Sequence, residues 1–276
     1  GVIVSDAMRY EVGADLSTRI ASRALSLGRS RVSASCTGMV CMLPSYTQLG
    51  MAALLPRGPM TVDPATANVL KGGNATDSLA NRRKVVQAVI PGAVLIQAPK
   101  ILEEGLPPVE DAPLVMVYHN AIDKRGDSRD TEGEVFAACD DAIAQVAKIA
   151  GELLRAGCGK VLVTADHGFL YQDRQVEEYN YATVDGLSDL AQAPGQDLSH
   201  GRRYAMGMAL PESDILIEYS SAQLSLDGEI RFAFPRGITR LRLSGSGARY
   251  VHGGVSLQEN IVPVVTIERA DSRRVT

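Results

Sequence analysis

The residues best suited to chemistry in this chain sit where short apolar runs end. Val2-Ile3-Val4 leads into Ser5-Asp6, and the run 39–43 leads into Pro44-Ser45-Tyr46-Thr47. The run 114–118 delivers His119-Asn120, with Asp123 and Asp127 close behind. The run 161–164 is followed by Asp166-His167-Gly168, and Arg249-Tyr250-Val251-His252-Gly253-Gly254 precedes the last apolar run. Each position has an ordinary alternative. Asp6 could cap a helix opening near Arg9, and Thr47 could cap a helix over 48–55. Asp123 and Asp127 lie in Asp123-Lys124-Arg125-Gly126-Asp127, which reads equally as a solvated loop. His252 could be a hydrogen-bonded structural histidine, His119 a core or supporting group, and His200 falls in a polar stretch with no assigned role. Asp166-His167 is the sharper signal, because two polar groups straight after a buried strand are costly to place without partners.

Taken together, the set has a definite chemistry. Several carboxylates converging with two histidines and a hydroxyl repel one another, and one pKa is forced upward unless a cation intervenes. Divalent metal ions resolve that conflict, and mixed Asp/His donors suit Zn²⁺ or Mn²⁺. The chain has no evident Ser-His-Asp or Cys-His arrangement, so a hydroxyl nucleophile needs activation from another source. A Walker-type glycine loop and a GxGxxG string are also absent, which disfavours triphosphate motor chemistry and dinucleotide binding.

Elements must bring these residues together. Val12, Leu16, Ile20 and Leu25 predict a helix over about 9–27 that stops at Gly28, and helices are expected over 47–55 and 76–90. Thr131 and Glu134 predict a capping box opening the clearest helix, with Val135, Cys139, Ile143, Val146, Ala150 and Leu153 on its apolar stripe. Strands over 2–4, 39–43, 93–97, 114–118 and 161–164 alternate with these helices. That order implies an α/β fold with a mostly parallel central sheet and helices on both faces. Ligands bind such sheets at the carboxyl ends of the strands, where the polar residues fall. From about 170 the period dissolves, so 170–210 is expected to be an active-site flap or insertion. Further strands are expected at 215–219, 229–234, 239–243 and 261–267.

Composition narrows the class. The chain has 276 residues, 45% of them hydrophobic and 22% charged, enough for a sizeable core under an ordinary surface. Its 28 basic and 32 acidic residues sum to −4, so any nucleic-acid contact must be local. Trp is absent and aromatics make up 5%, against a single-strand binder built on stacking platforms. No apolar run approaches the roughly 18 residues that cross a bilayer, so no membrane span is expected. Cys36, Cys41, Cys139 and Cys158 form no CxxC pair and are expected to be reduced thiols of a cytoplasmic protein. The chain opens inside a strand-like run, which reads as a single domain over 1–276 cut from a longer protein.

The ordered motifs carry a resemblance. SDAMRYEV at 5–12, LPSYTQLGMAALLP at 43–56, VYHNAIDKRGD at 117–127, TADHGF at 164–169 and HGGVSLQENIVPVV at 252–265 resemble the PglZ domain of BREX phage-defence systems. That domain is a branch of the alkaline phosphatase superfamily of two-metal phosphohydrolases. The resemblance implies an alkaline-phosphatase-like three-layer sandwich, two bound Zn²⁺ or Mn²⁺ ions, a phosphoester substrate and other BREX proteins as partners. By the same resemblance Thr47 is the nucleophile, with Ser45 the less favoured hydroxyl, and Asp6, Asp166 and His167 hold the ion that activates it. Asp123 and His252 hold the other ion. Where many superfamily members place a histidine after the equivalent of Asp123, this chain offers Asp127. Asn120 and Arg9 are candidates for non-bridging phosphate oxygens. The function implied is a phosphodiesterase on nucleotide or nucleic-acid-like substrates, and the alternative is a weakly catalytic scaffold organising a defence complex.

Overall fold

Adjacent residues of the first strand point into two different cores, and that alternation builds the layers. The computed structural model describes residues 1–22, 32–187, 197–243 and 249–269. Strand β1 (Val2–Ser5) is followed by helix α1 (Tyr10–Ala21), strand β2 (Val32–Val40) and helix α2 (Thr47–Ala53). A small sheet of β3 (Met60–Val62), β4 (Val69–Lys71) and β5 (Asn74–Ala75) precedes α3 (Leu79–Val89), β6 (Val94–Gln97) and α4 (Ala98–Glu104). Then come β7 (Val115–His119), α5 (Ala121–Gly126), α6 (Val135–Arg155) and β8 (Lys160–Thr164).

Ile3, Val117 and Val163 face one core with Leu16 and Ile20 of α1 and Ile143, Val146 and Ala150 of α6. Their neighbours Val4 and Met116 face the other, with Met51 of α2 and Val85 and Val86 of α3. Each fully buried aliphatic side chain contributes on the order of 1.5–3 kcal/mol, so a sheet covered on both faces needs unbroken apolar strands. The central sheet runs β2-β17-β8-β1-β7-β6, where β17 is Ile261–Arg269. Strands β8, β1, β7 and β6 are parallel, while β17 is antiparallel to both β8 and β2. The start of β17 and the end of β2 therefore lie at the carboxyl edge of the parallel strands.

The stretch expected to be a flap folds into small strands. They are β9 (Leu170–Tyr171), β10 (Tyr181–Ala182), β11 (Leu198–His200) and β12 (Ala205–Gly207). Next come β13 (Leu216–Ser220), β14 (Arg231–Pro235), β15 (Arg240–Leu241), β16 (Tyr250–Val251) and α7 (Leu257–Asn260). Strands β11-β12-β14-β13 form an antiparallel sheet. Met206, Phe232 and Phe234 from it pack on Tyr46 and Leu49, so the insertion rests on the start of α2. Two- and three-residue strands are too short to leave a period, which is why the sequence reads as structureless there. Residues 188–196 lie outside the described part.

Three other expectations need correction. The apolar stretch at 39–43 is only the tail of a strand: β2 covers Val32–Val40, at a sheet edge, with alternate residues exposed. Helix α1 ends at Ala21, and the last part of the longer helix expected there, from residue 23, lies outside the described residues. The capping box at Thr131 does not form. Thr131 donates its hydroxyl to the Arg125 carbonyl at 2.7 Å, and a 3-10 turn over Glu132–Glu134 separates it from α6. The reciprocal box occurs instead between Ser256 and Glu259 at α7. No helix among the described residues is long and apolar enough to cross a membrane.

Candidate metal and catalytic centre

Five segments converge at the carboxyl edge of the sheet. Asp6 follows β1, Thr47 opens α2, Asp123 lies in α5 after β7, Asp166-His167 follow β8, and His252 lies between β16 and β17. Asp6, Asp166 and His167 are buried and form one cluster; Asp123, His167 and His252 form a second that shares His167. Neither Asp6 nor Thr47 acts as the helix cap considered for it. Arg9 and Tyr46 hold those positions, without a side-chain bond.

The first cluster has donors that could hold a cation. His167 Nε2 lies 3.4 Å from Asp166 Oδ2 and 3.6 Å from Asp6 Oδ1, and both oxygens are buried without a hydrogen-bond partner. Donors around a four-coordinate ion with bonds of about 2.1 Å stand roughly 3.4 Å apart, so this spacing fits Zn²⁺ or a similar ion. His167 Nδ1 faces the Gly168 carbonyl at 2.8 Å. A carbonyl only accepts, so Nδ1 carries the proton and the lone pair of the neutral ring is on Nε2. Thr47 Oγ1 is 3.0 Å from that nitrogen and donates to it. Burial, then the Asp166 and Asp123 charges, raises the Asp6 pKa well above the carboxylate range. The backbone at Ala7 bends to serve the cluster: with φ at 61°, it donates its N–H to Asp166 Oδ1 at 3.2 Å. A non-glycine residue in that region costs about 1 kcal/mol or more and persists only where surroundings impose it.

Thr47 is held over this cluster by close packing one turn further along α2. A Cβ at Gly50 would stand 2.4 Å from the Asp166 carbonyl oxygen, so only glycine permits this approach.

In the second cluster His252 Nε2 lies 4.0 Å from Asp123 Oδ1, and the His252 and His167 rings stack with centroids 4.2 Å apart. Burial and the neighbouring His167 lower the His252 pKa, with Asp123 opposing them, which favours the neutral, ligating ring. Its Nδ1 donates to the Ser45 carbonyl at 3.2 Å. The Ser45 hydroxyl is consumed structurally, donating to the Gly254 carbonyl at 2.9 Å and accepting from Gly253 N at 3.2 Å. The loop is anchored from below by Glu259, which accepts from Gly254 N at 2.9 Å and from the buried Arg203 guanidinium at 3.1 Å. Burial alone would raise the Glu259 pKa, but Arg203 and the bonds from Ser256 and Gly254 hold it below its ordinary value.

Other sequence candidates are placed differently. Asp127 ends α5, is exposed and joins neither cluster, although its charge raises the His252 pKa slightly against the trend. Glu132, five residues further on, is buried and accepts from Arg249 N at 3.2 Å and Tyr250 N at 3.4 Å. Asn120 uses Oδ1 to cap α5, accepting from Lys124 N at 3.1 Å, so its amide NH2 is what it has to offer a phosphate. Arg9 is engaged with Glu11 and lies 5.0 Å over the Phe169 ring. His119 sits between Ser5 Oγ at 2.9 Å and Gln145 Oε1 at 3.0 Å, supporting the end of β7. His200 lies in β11, away from both clusters.

Two further residues beside the clusters are not singled out by the sequence. Arg82 of α3 lies 5.0 Å over the Tyr118 ring and its charge opposes the rise in the Asp6 pKa. Tyr250 donates its hydroxyl to Asp123 Oδ1 at 3.0 Å. Burial and the Asp123 charge push that phenol well above its ordinary pKa, so it is protonated and donating. The Cys41 thiol, near Asp166, is pushed up to about 12 by burial and is no thiolate nucleophile.

Comparison with known proteins agrees with this architecture. The chain is 33% identical over 274 residues to the alkaline phosphatase-like protein BrxZ of Escherichia coli O9:H4 (strain HS), covering 97% of this chain and 30% of that protein. It is 30% identical over 278 residues to the alkaline phosphatase-like protein PglZ of Bacillus cereus (strain H3081.97), covering 99% of this chain and 31% of that one. The chain thus spans about a third of the length of these relatives. Among solved structures, murine ectonucleotide pyrophosphatase/phosphodiesterase 5 superposes with a TM-score of 0.58 at 12% identity, over 97% of this chain and 87% of that one. Phosphonoacetate hydrolase of Sinorhizobium meliloti 1021 in complex with phosphonoacetate superposes with a TM-score of 0.51 at 12% identity, over 96% and 88%. These distant likenesses establish an alkaline-phosphatase-like α/β fold. Residues 1–267 match the BREX system PglZ alkaline phosphatase-like domain, and the chain belongs to that family.

Proposed function

We propose that this domain is a metal-dependent phosphoester hydrolase of BREX phage defence in the cytoplasm, acting on phosphodiesters of nucleotide or nucleic-acid-like substrates. The observation that carries this reading is Thr47 Oγ1 at 3.0 Å from His167 Nε2, beside two carboxylate oxygens with no other partner. Asp6, Asp166 and His167 hold one Zn²⁺ or Mn²⁺ ion; Asp123 and His252 hold the other. One imidazole nitrogen has one lone pair, so His167 serves a single ion and the second site needs a further oxygen. Asp127 is our candidate for it, because its charge already reaches His252 and Glu132 is committed to backbone.

When bound, the ions supply the positive charge that lowers the Thr47 hydroxyl pKa and neutralises the phosphate in an in-line displacement. Thr47 Oγ1 attacks phosphorus as its proton passes to solvent water, the P–O bond to one alcohol breaks, and that alcohol takes up a proton from water as it departs. A water then attacks the phosphothreonine, releasing the phosphomonoester and restoring the Thr47 hydroxyl. His167 is held in one tautomer by Gly168, and Gly50 keeps Thr47 close to the ligands. Asn120 NH2 is available for a non-bridging oxygen. Among the described residues Arg82 is the cation whose charge opposes the rise in the Asp6 pKa, and a single cation suits a singly charged diester better than a dianionic monoester. The name of the murine neighbour, a phosphodiesterase, is in keeping with that preference.

The test is turnover of bis-p-nitrophenyl phosphate and p-nitrophenyl phosphate by protein stripped of metal and reloaded with Zn²⁺ or Mn²⁺. Metal-dependent hydrolysis, faster on the diester, is expected. Two bound equivalents with no turnover of any phosphoester would favour a scaffold instead.

A further inference from the structure

The phenol of Tyr250 reaches across from a different element to a metal-site carboxylate. We infer that Tyr250 is a positioning residue that sets the affinity of the second ion by orienting Asp123. This rests on the two-ion reading above and assigns a role within it.

Tyr250 is 3% exposed, yet its hydroxyl is aimed at Asp123 Oδ1, 3.0 Å away. Several features lock it there. Strand β16 pairs with β9, so Tyr250 sits opposite Tyr171 and its ring lies 4.8 Å from that of Phe169, two residues past His167. Its backbone N–H is taken by Glu132. On the other side the ring lies flat against α5, where a Cβ at Gly126 would stand 2.3 Å from it. Gly126 follows Asp123 by three residues, nearly one helical turn, so the glycine that admits the ring also brings the hydroxyl under the carboxylate.

The donor has a consequence for the metal. A carboxylate ligand with one lone pair committed to a fixed phenol cannot rotate freely, and its ligating direction is set before an ion arrives. Hydrogen bonds of this kind to metal-ligating carboxylates typically change metal affinity by about 10–100-fold when removed. Among the described residues no phenol hydrogen-bonds to the first cluster: Asp166 Oδ1 accepts from Ala7 N, and the Tyr250 hydroxyl donates to Asp123. The effect should therefore be confined to one of the two ions.

The experiment is a Zn²⁺ titration of the stripped protein against a competing chelator, with wild type, Tyr250→Phe and Gly126→Ser compared. Wild type should take up two equivalents. Tyr250→Phe keeps the ring and should bind the first equivalent as wild type does and the second about 10–100-fold more weakly. Diesterase activity of this variant should return at saturating metal, as expected for a group that touches no substrate. Gly126→Ser displaces the ring from the α5 side, leaving Tyr250 in the chain, and should weaken the second equivalent likewise; it stands in if the phenylalanine variant does not fold. A second equivalent within twofold of wild type in the folded variant overturns the inference, as does a lower melting temperature with unchanged metal affinity. Failure of the two-ion reading is separately visible, because wild type itself would then bind fewer than two ions.

Discussion

Arg203 and Glu259 form an ion pair with both side chains fully buried, 3.1 Å apart, between the inserted sheet and the loop that carries His252. Arg203 also donates to the Gly237 carbonyl at 2.8 Å and to the Thr239 carbonyl, while Glu259 receives Gly254 N and Ser256 N. Removing one partner of such a pair strands the other charge and typically costs about 3–5 kcal/mol. Arg203→Met and Glu259→Gln should each lose roughly that much in denaturant unfolding, and the double variant should lose less than their sum. Single variants within about 1 kcal/mol of wild type would show that the clamp contributes little.

Thr47→Ala should reduce diester turnover by several orders of magnitude while leaving metal content and fold nearly unchanged. The hydroxyl provides the attacking oxygen, whereas the carboxylates and imidazoles provide most of the metal affinity. Ser45→Ala should instead lower stability, because that hydroxyl ties down Gly253 and Gly254. Retained turnover in the threonine variant, combined with its loss in the serine variant, would move the nucleophile to Ser45.

Asp127→Ala should cost one metal equivalent, and Asp127→His should shift the second site towards Zn²⁺, because imidazole is softer than carboxylate. Elemental analysis after retitration measures both. Two equivalents bound normally by the alanine variant would remove Asp127 from the ligand set.

The pH dependence of the metal-free protein should report Asp6. Its folded pKa is raised, chiefly by burial and then by Asp166 and Asp123, so the native state holds its proton more tightly than the unfolded chain. The stability from this group is fully present below the unfolded value of about 4 and is lost as pH rises through the folded value. In chelator, Asp6→Asn should therefore melt higher than wild type at pH 7, with an advantage that shrinks on acidification. With metal present the order should reverse. A chelated wild type that matches Asp6→Asn at all pH values would contradict the raised pKa.

Much of this centre could be read along the chain, for a reason that is local. A buried parallel strand must be apolar throughout, so the residue at which it turns polar marks the sheet edge where ligands bind. Asp6, Asp123, Asp166 and His167 stand just past such ends, and Thr47 and His252 join them from loops after an edge strand and a two-residue strand. The alternation of the main helices with β1, β6, β7 and β8, the two-sided sheet and the long amphipathic α6 follow from periodicity. Strands of two or three residues carry too few positions for a period, so β11 and β12 leave no signal while their five-residue neighbours β13 and β14 do, and the Thr131 hydroxyl goes to the Arg125 carbonyl rather than to a helix cap.

What the sequence determined by itself is therefore which residues gather at the sheet edge, together with the fold that presents them. Only the tertiary structure decided how they are held. That His167 belongs to both clusters, that Tyr250 reaches Asp123, and that Arg203 anchors the His252 loop through Glu259 depend on partners 127 and 56 positions apart or on three strands meeting at one edge. Asp127 shows the same limit from the other side, since four residues of separation could not settle which way its carboxylate faces. Spacing constrains neighbours within one element, whereas contacts between elements are set by packing, and packing is a property of the whole chain.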